Sequence, residues 1–257
     1  PAPTTAAAAL RDALARAWTD AALAEHASIA SFARAVLELM SLGAPPGLLH
    51  ATQAALADEV EHAALCFAEA RRHAPTALGP GPLAIDRGAL DRVGDPVAIS
   101  LAVFAEGCVG EGVSAAIAGV AAEACSDPAT AALLRRIAAD EARHAALAWR
   151  TLAWLAREHA VVARWLPRAL DALRLPALPP SAPDDALLAM HGRVSARERA
   201  SLQREAIRTI VAPTLRTVKF FVASLAPSGH SIRPGLWPGG TETSYSSQFG
   251  LVARVAP

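Results

Sequence analysis

Ala57-Asp58-Glu59-Val60-Glu61-His62-Ala63-Ala64-Leu65 and Ala139-Asp140-Glu141-Ala142-Arg143-His144-Ala145-Ala146-Leu147 agree at seven of nine positions. Each copy carries Glu-x-x-His. On a helix, residues three apart share a face, so each carboxylate and imidazole point the same way. With 13 Glu and 8 His in 257 residues, chance supplies only about 0.4 such pairs. The surroundings are rich in Ala, Leu, Arg and Glu from Ala6 to Ala160, which favours helix, and β-branched runs are scarce.

Four long helices follow from the breaks. The first spans about 5–42 and stops at Gly43, ahead of Ala44-Pro45-Pro46. The second spans about 46–73, the third about 96–125, and the fourth about 128–159 after the cap Asp127-Pro128. Short turns make helices one and two, and three and four, antiparallel hairpins. The stretch from Ala74 to Asp95, about 22 residues, reaches roughly 70 Å when extended and can cross a whole bundle. The expectation is an all-α, antiparallel four-helix bundle over 5–160, two hairpins joined by a long crossover. A connector with accessory C-terminal helices follows over 161–226, with Pro213 expected to kink or break the last. Residues 227–257 read as an irregular tail with at most a short strand.

Periodicity places acids inside. On helix four, Leu134, Ile137, Glu141, His144, Ala148 and Leu155 form one seam. On helix one, Trp18, Ala22, Glu25, Ile29, Phe32, Val36 and Leu39 do the same, as do Ile99, Val103, Glu106, Gly110, Val113, Ile117 and Val120 on helix three. Core carboxylates at similar heights repel unless cations neutralise them. Two divalent metals on Glu25, Glu59, His62, Glu106, Glu141 and His144 satisfy that need. A Glu from each of two helices and Glu-x-x-His from each of the others is a di-metal carboxylate pattern.

Helix three offers a second acid, Glu111. Residues five apart differ by about 140° in an α-helix, so Glu106 and Glu111 cannot both face the metals without a π-bulge. Gly107, Gly110 and Gly112 suggest that backbone shape matters there. Glu106 is expected as the principal ligand, because Ala105-Glu106 aligns with Ala24-Glu25. Glu111 is expected to bind the second metal or to hydrogen-bond a ligand. His26 faces away from Glu25, and Cys66 and Cys108 read as packing residues.

These residues resemble the ferritin-like di-iron carboxylate proteins. Asp140 to His144 is similar to the Asp-Glu-x-Arg-His run of ribonucleotide reductase small subunits and bacterial di-iron monooxygenases, while Glu61 departs from it in the first copy. Glu25-His26-Ala27-Ser28 and the run from Glu106 to Glu111 resemble a less-characterised bacterial ferritin-like group. The resemblance covers about Trp18 to His159. It implies two iron ions, alternatively Mn/Fe or Mn/Mn, and makes Asp58 and Asp140 acceptors for the ligand imidazole N–H groups. It implies O₂ activation to oxidise a small organic substrate, with an electron-donor protein as a candidate partner. Iron oxidation or peroxide scavenging, and a non-enzymatic or partner-binding bundle, are the alternatives. A tyrosyl radical is disfavoured, because the only Tyr is Tyr245 in the tail.

Composition narrows the rest. Lys+Arg 24 balances Asp+Glu 24, which argues against nucleic acid, and three Cys without a CxxC pair argue against a disulfide scaffold or zinc ribbon. Pro96 to Ala122 is long enough to span a bilayer, yet Glu106 and Glu111 sit in it, so a buried helix is expected. No signal peptide is recognisable. A soluble, cytoplasmic protein is the expectation; export stays open, because the chain starts at Pro1, and oligomer formation stays open too.

Overall fold

The computed structural model describes residues 5–74, 78–170, 173, 175–181, 185–224, 244–246 and 252–254. Helix α1 (Thr5–Ser41) ends where Gly43 takes φ +72°, a conformation glycine adopts without a side-chain clash. Helix α2 (Pro46–His73) begins with proline in its first turn. After the crossover, the Asp95 side chain accepts from the Val97 and Ala98 N–H groups and starts α3 (Pro96–Ala124). Asp127 accepts from Ala129 N–H and Pro128 opens α4 (Pro128–Glu158). Helix α1 packs along α2, α3 along α4, and α2 against α4. The result is an all-α core of four long helices in a ferritin-like bundle.

The core falls into two apolar clusters. One gathers Trp18, Ala22, Phe67, Leu134 and Ile137; the other gathers Leu39, Ile99, Phe104, Leu152 and Leu155. Glu25 of α1 and the acids and histidines of the repeated motif on α2 and α4 lie between the two. Among the described residues, α3 is the one helix long and apolar enough to cross a membrane, and 56% of its apolar window is buried inside the molecule.

Helix α3 is not uniformly α. Val103–Glu111 is π-helical, with α-helix on both sides. Gly107 shows one reason for glycine here. A Cβ on it would lie 2.4 Å from the Ala148 Cβ on α4, so the two helices touch backbone to side chain. Gly112 has open space around it and no such need. Gly107→Ala must therefore push α3 off α4. We expect a loss of about 1–3 kcal/mol in urea unfolding. Wild-type stability in that variant would show the contact to be slack.

After α4 come the short α5 (Ala160–Trp165) and a single 3₁₀ turn, Leu166–Arg168. Helix α6 (Asp185–Met190) ends at Gly192, φ +73°, and Ser195 caps α7 by accepting from Glu198 N–H. Helix α7 runs over 196–224 as α-helix Ala196–Ala206, a π segment Ile207–Val211, and α-helix Ala212–Ser224. Pro213 thus does not break the helix. The wider π turn just before it accommodates the missing N–H. Two three-residue strands, β1 (Ser244–Ser246) and β2 (Val252–Arg254), pair antiparallel. The rest of the reading of 227–257 as an irregular tail lies outside the described residues.

Candidate metal centre

Four side chains of the repeated motif meet in the middle of the bundle. Glu59 and His62 are wholly buried, Glu141 is 1% exposed and His144 3%. The His62 and His144 ring centroids are 6.1 Å apart. His144 Nδ1 lies 3.0 Å from Glu59 Oε1 and 3.8 Å from Glu141 Oε2. His62 Nδ1 lies 3.5 Å from Glu141 Oε1, 3.9 Å from Glu59 Oε1 and 3.9 Å from Glu25 Oε2. Two groups of four can be drawn: Glu25, Glu59, His62 and Glu141, and Glu59, Glu111, Glu141 and His144. Within each, one ligand atom per residue lies within 4.8 Å of every other. Glu59 and Glu141 belong to both, and each group adds one histidine and one outer glutamate.

The imidazoles are oriented crosswise. His62 donates from Nε2 to Asp140 Oδ2 at 3.0 Å, and His144 donates from Nε2 to Asp58 Oδ2 at 3.1 Å. The aspartate of each copy serves the histidine of the other, which fixes the tautomer and leaves both Nδ1 lone pairs facing the centre. Arg143 ties the two aspartates together, donating from Nη1 to Asp140 Oδ1 and from Nη2 to Asp58 Oδ2 at 3.2 Å. Burial pushes Asp140 up, but its bonds from His62 and Arg143 outweigh that and hold it below the usual carboxylate range. Glu61, standing where the first copy lacks its arginine, pairs with Arg136 of α4 instead.

Helix α3 reverses the expected order of its two acids. Glu111 is 7% exposed and joins the cluster. Glu106 does not. It accepts from Arg34 Nη2 at 2.5 Å and lies 3.5 Å from Arg92 Nη1, and its side chain is 32% exposed. Arg34 and Arg92 also reach buried Glu38, at 3.4 and 2.9 Å. The π-bulge is present, yet it brings inward one acid rather than both. Register explains which. Glu111 stands thirteen residues before the end of α3 at Ala124, and Glu141 thirteen after the start of α4 at Pro128, so the hairpin sets them level. Glu106 is more than one turn further away, and the crossover delivers Arg92 to it.

The cluster has the donor chemistry of a site for divalent metal. Both Glu59 oxygens, Glu141 Oε2 and both histidine Nδ1 atoms are buried without a hydrogen-bond partner among the described residues. Such groups are costly unless a cation takes their lone pairs. Neighbouring ligand atoms around an octahedral ion at ~2.1 Å are about 3 Å apart, the scale of the shortest contacts here. Four carboxylates, from Glu25, Glu59, Glu111 and Glu141, balance the charge of two divalent ions.

Without metal the cluster holds protons. Burial first, then the Glu141 and Glu59 charges, push Glu25 well above the carboxylate range. Burial and the Glu141 charge do the same to Glu111. Burial would lower His144, but the Glu141 and Glu59 carboxylates beside it push it up to about 10. Glu141 is itself held low: burial opposes this, and Glu111, His144 and His62 outweigh it.

The pH dependence follows from these directions. A histidine raised on folding adds stability below its unfolded value of about 6.5, and that stability is lost as pH climbs to about 10. The raised Glu25 and Glu111 have the same sign, losing stability as pH rises above about 4.5. Metal-free protein should therefore melt lower at pH 10 than at pH 7, and His144→Ala should flatten that slope. Metal loading at pH 7 should release protons, measured by calorimetry in buffers of different ionisation enthalpy. Proton-neutral loading would contradict the assignment.

Cys66 and Cys108 are buried packing groups. Burial pushes both Cys66 and Cys108 up, so neither forms a thiolate near neutral pH.

Two cavities border the cluster. A cavity of 70 Å³ beside His144 and Glu111 is lined by Phe32, Val103, Leu147 and Ala148, with Arg34 and Glu106 also on its wall. A second, of 440 Å³, lies between the bundle and the C-terminal segment and reaches Glu25, Glu111 and Glu141. Its outer wall includes Arg193, Arg199 and Gln203, which no motif or periodicity in the sequence singles out. Only the fold brings the segment after α6 back over α1.

Comparison of the chain with family models, with curated proteins and with solved structures finds no match. The geometry carries the assignment: this is a ferritin-like di-metal carboxylate site, built on Glu59-x-x-His62 and Glu141-x-x-His144 with flanking glutamates.

Proposed function

We propose that the chain is a di-metal oxidoreductase that activates O₂ to oxidise a small organic substrate, with iron as the first choice of metal and manganese as the alternative. The observation that carries this reading is the buried, partnerless donor set lying between two cavities. Glu25 and His62 would hold one ion and Glu111 and His144 the other, with Glu59 and Glu141 belonging to both groups. Oxygen and imidazole nitrogen donors suit iron and manganese better than soft metals. Two divalent irons there would supply the electrons that dioxygen accepts.

The protein's own part is positioning. Asp58, Asp140 and Arg143 hold the imidazoles in one tautomer and orientation. Phe32 packs edge-on against the His144 ring, with centroids 5.2 Å apart, and helps exclude water on that side. The larger cavity, within the usual ~300–1,000 Å³ of ligand sites, favours an organic substrate over iron storage. An electron-donor protein and O₂ complete the partners of this reading.

The test is Fe(II) loading without oxygen followed by exposure to O₂. An oxidase of this kind oxidises close to two irons per chain, keeps them, and repeats the cycle on re-reduction. Continued oxidation of added Fe(II) beyond two per chain, with ferric mineral accumulating, would establish the ferroxidase alternative instead.

A further inference from the structure

The larger cavity has two chemically different ends. Toward the bundle its walls are apolar, with Val113, Ile117, Leu134 and Ile137 leading to Glu25 and Glu141. On the C-terminal side stand two guanidinium groups, Arg193 and Arg199, with Gln203.

Arg193 is held in place rather than dangling. Its Cζ lies 4.6 Å from the centroid of the fully buried Trp18 ring, a cation–π contact. Its Nε is buried with no hydrogen-bond partner among the described residues. Neither arginine forms an ion pair among the described residues, whereas the largely buried Arg34 and Arg92 each engage carboxylates. Asp20, exposed on the cavity wall, is the one lining acid outside the cluster, and it does not pair with either arginine. Burial first, then the like charge of Arg199, pull Arg193 down to about 10, so it stays cationic at neutral pH. Arg199 is lowered by burial in protein, while its accessible surface marks it as the outer of the two.

Two like charges line one cavity, one of them locked on an aromatic face with an unused donor, and the nearest acids, Glu25 and Asp20, act on Arg193 through space without forming an ion pair with it. A guanidinium presents a planar fork of donors that matches an oxyanion. The geometry points to a substrate that is a small amphipathic oxyanion, with its carboxylate or phosphate head on Arg193 and Arg199 and its apolar body running between α3 and α4 toward Glu25 and Glu141. This deepens the reading of the metal centre and rests on it for the word substrate; binding of the anion itself does not require metal.

The test separates the two. Octanoate, octyl phosphate, 1-octanol and octylamine are titrated by calorimetry into metal-free protein and into protein loaded with redox-silent Zn(II), with metal content measured on the same samples. At least one of the two anions should bind tenfold or more tighter than octanol, with octylamine weakest, and the preferred anion identifies the head group. Arg193→Gln should weaken that anion at least tenfold while metal content and octanol binding stay unchanged. Arg193→Lys should recover part of the loss, and Arg199→Gln, at an exposed position that leaves the fold intact, should cost severalfold. Equal binding of anions and octanol, or unchanged anion affinity in both glutamine variants, would overturn the inference. So would an Arg193→Gln variant that loses metal but keeps anion affinity, since Arg193 would then be only a counter-charge for Glu25. Failure of Zn(II) to load sinks the metal reading alone and leaves the anion result to stand or fall by itself.

Discussion

Loaded anaerobically with Fe(II) or Mn(II), the wild-type chain should take up close to two ions, and Glu59→Ala or Glu141→Ala should retain almost none. These two carboxylates belong to both groups of four, so removing either takes a donor from each ion at once. Removing an outer residue such as His62 strips one group only. The metal-free state should lose stability as well. There Glu59 Oε1 lies 3.0 Å from His144 Nδ1, and His144, pushed up to about 10, is charged at neutral pH, so the two form a buried pair. Removing one partner of such a pair costs about 3–5 kcal/mol. Metal-free Glu59→Ala should therefore melt below the metal-free wild type, and the loaded wild type should melt above both. Elemental analysis with paired thermal melts, before and after chelation, reads both effects. A Glu59→Ala protein that still holds two ions would refute the assignment of Glu59 to both groups.

Glu111→Gln should lower metal content from two ions to about one, whereas Glu106→Gln should leave it at two. Glu111 is the α3 carboxylate in the cluster, and an amide is a far weaker donor to a divalent ion than a carboxylate. Glu106 is committed elsewhere, between Arg34 and Arg92 and close to Glu38. Its replacement should loosen the salt-bridge network at the small cavity and change oxygen reactivity rather than occupancy. The reverse pattern, with metal lost in Glu106→Gln and kept in Glu111→Gln, would mean that the π segment rearranges on loading. Gly107→Ala provides a cross-check, because displacing α3 from Ala148 moves Glu111 without touching a ligand.

Much of this protein is local and could be read along the chain. Helix ends follow from Gly43, Asp95-Pro96 and Asp127-Pro128, since caps and proline act within one turn. The bundle follows from apolar seams and loop lengths. The Glu-x-x-His motifs announce themselves because a helix puts i and i+3 on one face, whatever the helix packs against. A π-bulge in α3 was expected so that both Glu106 and Glu111 could face the centre; the π segment is there, but only Glu111 joins the cluster.

What the chain could not show by itself depends on register and on distant segments. Whether Glu106 or Glu111 faces the centre turns on how far the π segment rotates α3 and on the level at which the hairpin meets α4. It also turns on a charge from far away, because Arg92 on the crossover engages Glu106 and no periodicity announces that. The crosswise pairing of Asp58 with His144 and Asp140 with His62 needs α2 and α4 side by side. The arginine-lined wall of the larger cavity exists only once the segment around Gly192 folds back over Trp18. Motifs within a helix are set by bond geometry over a few residues. The identity of a partner across a cavity is set by the packing of the whole chain, which is why most members of the acid–histidine cluster could be picked out along the sequence and the walls around them could not.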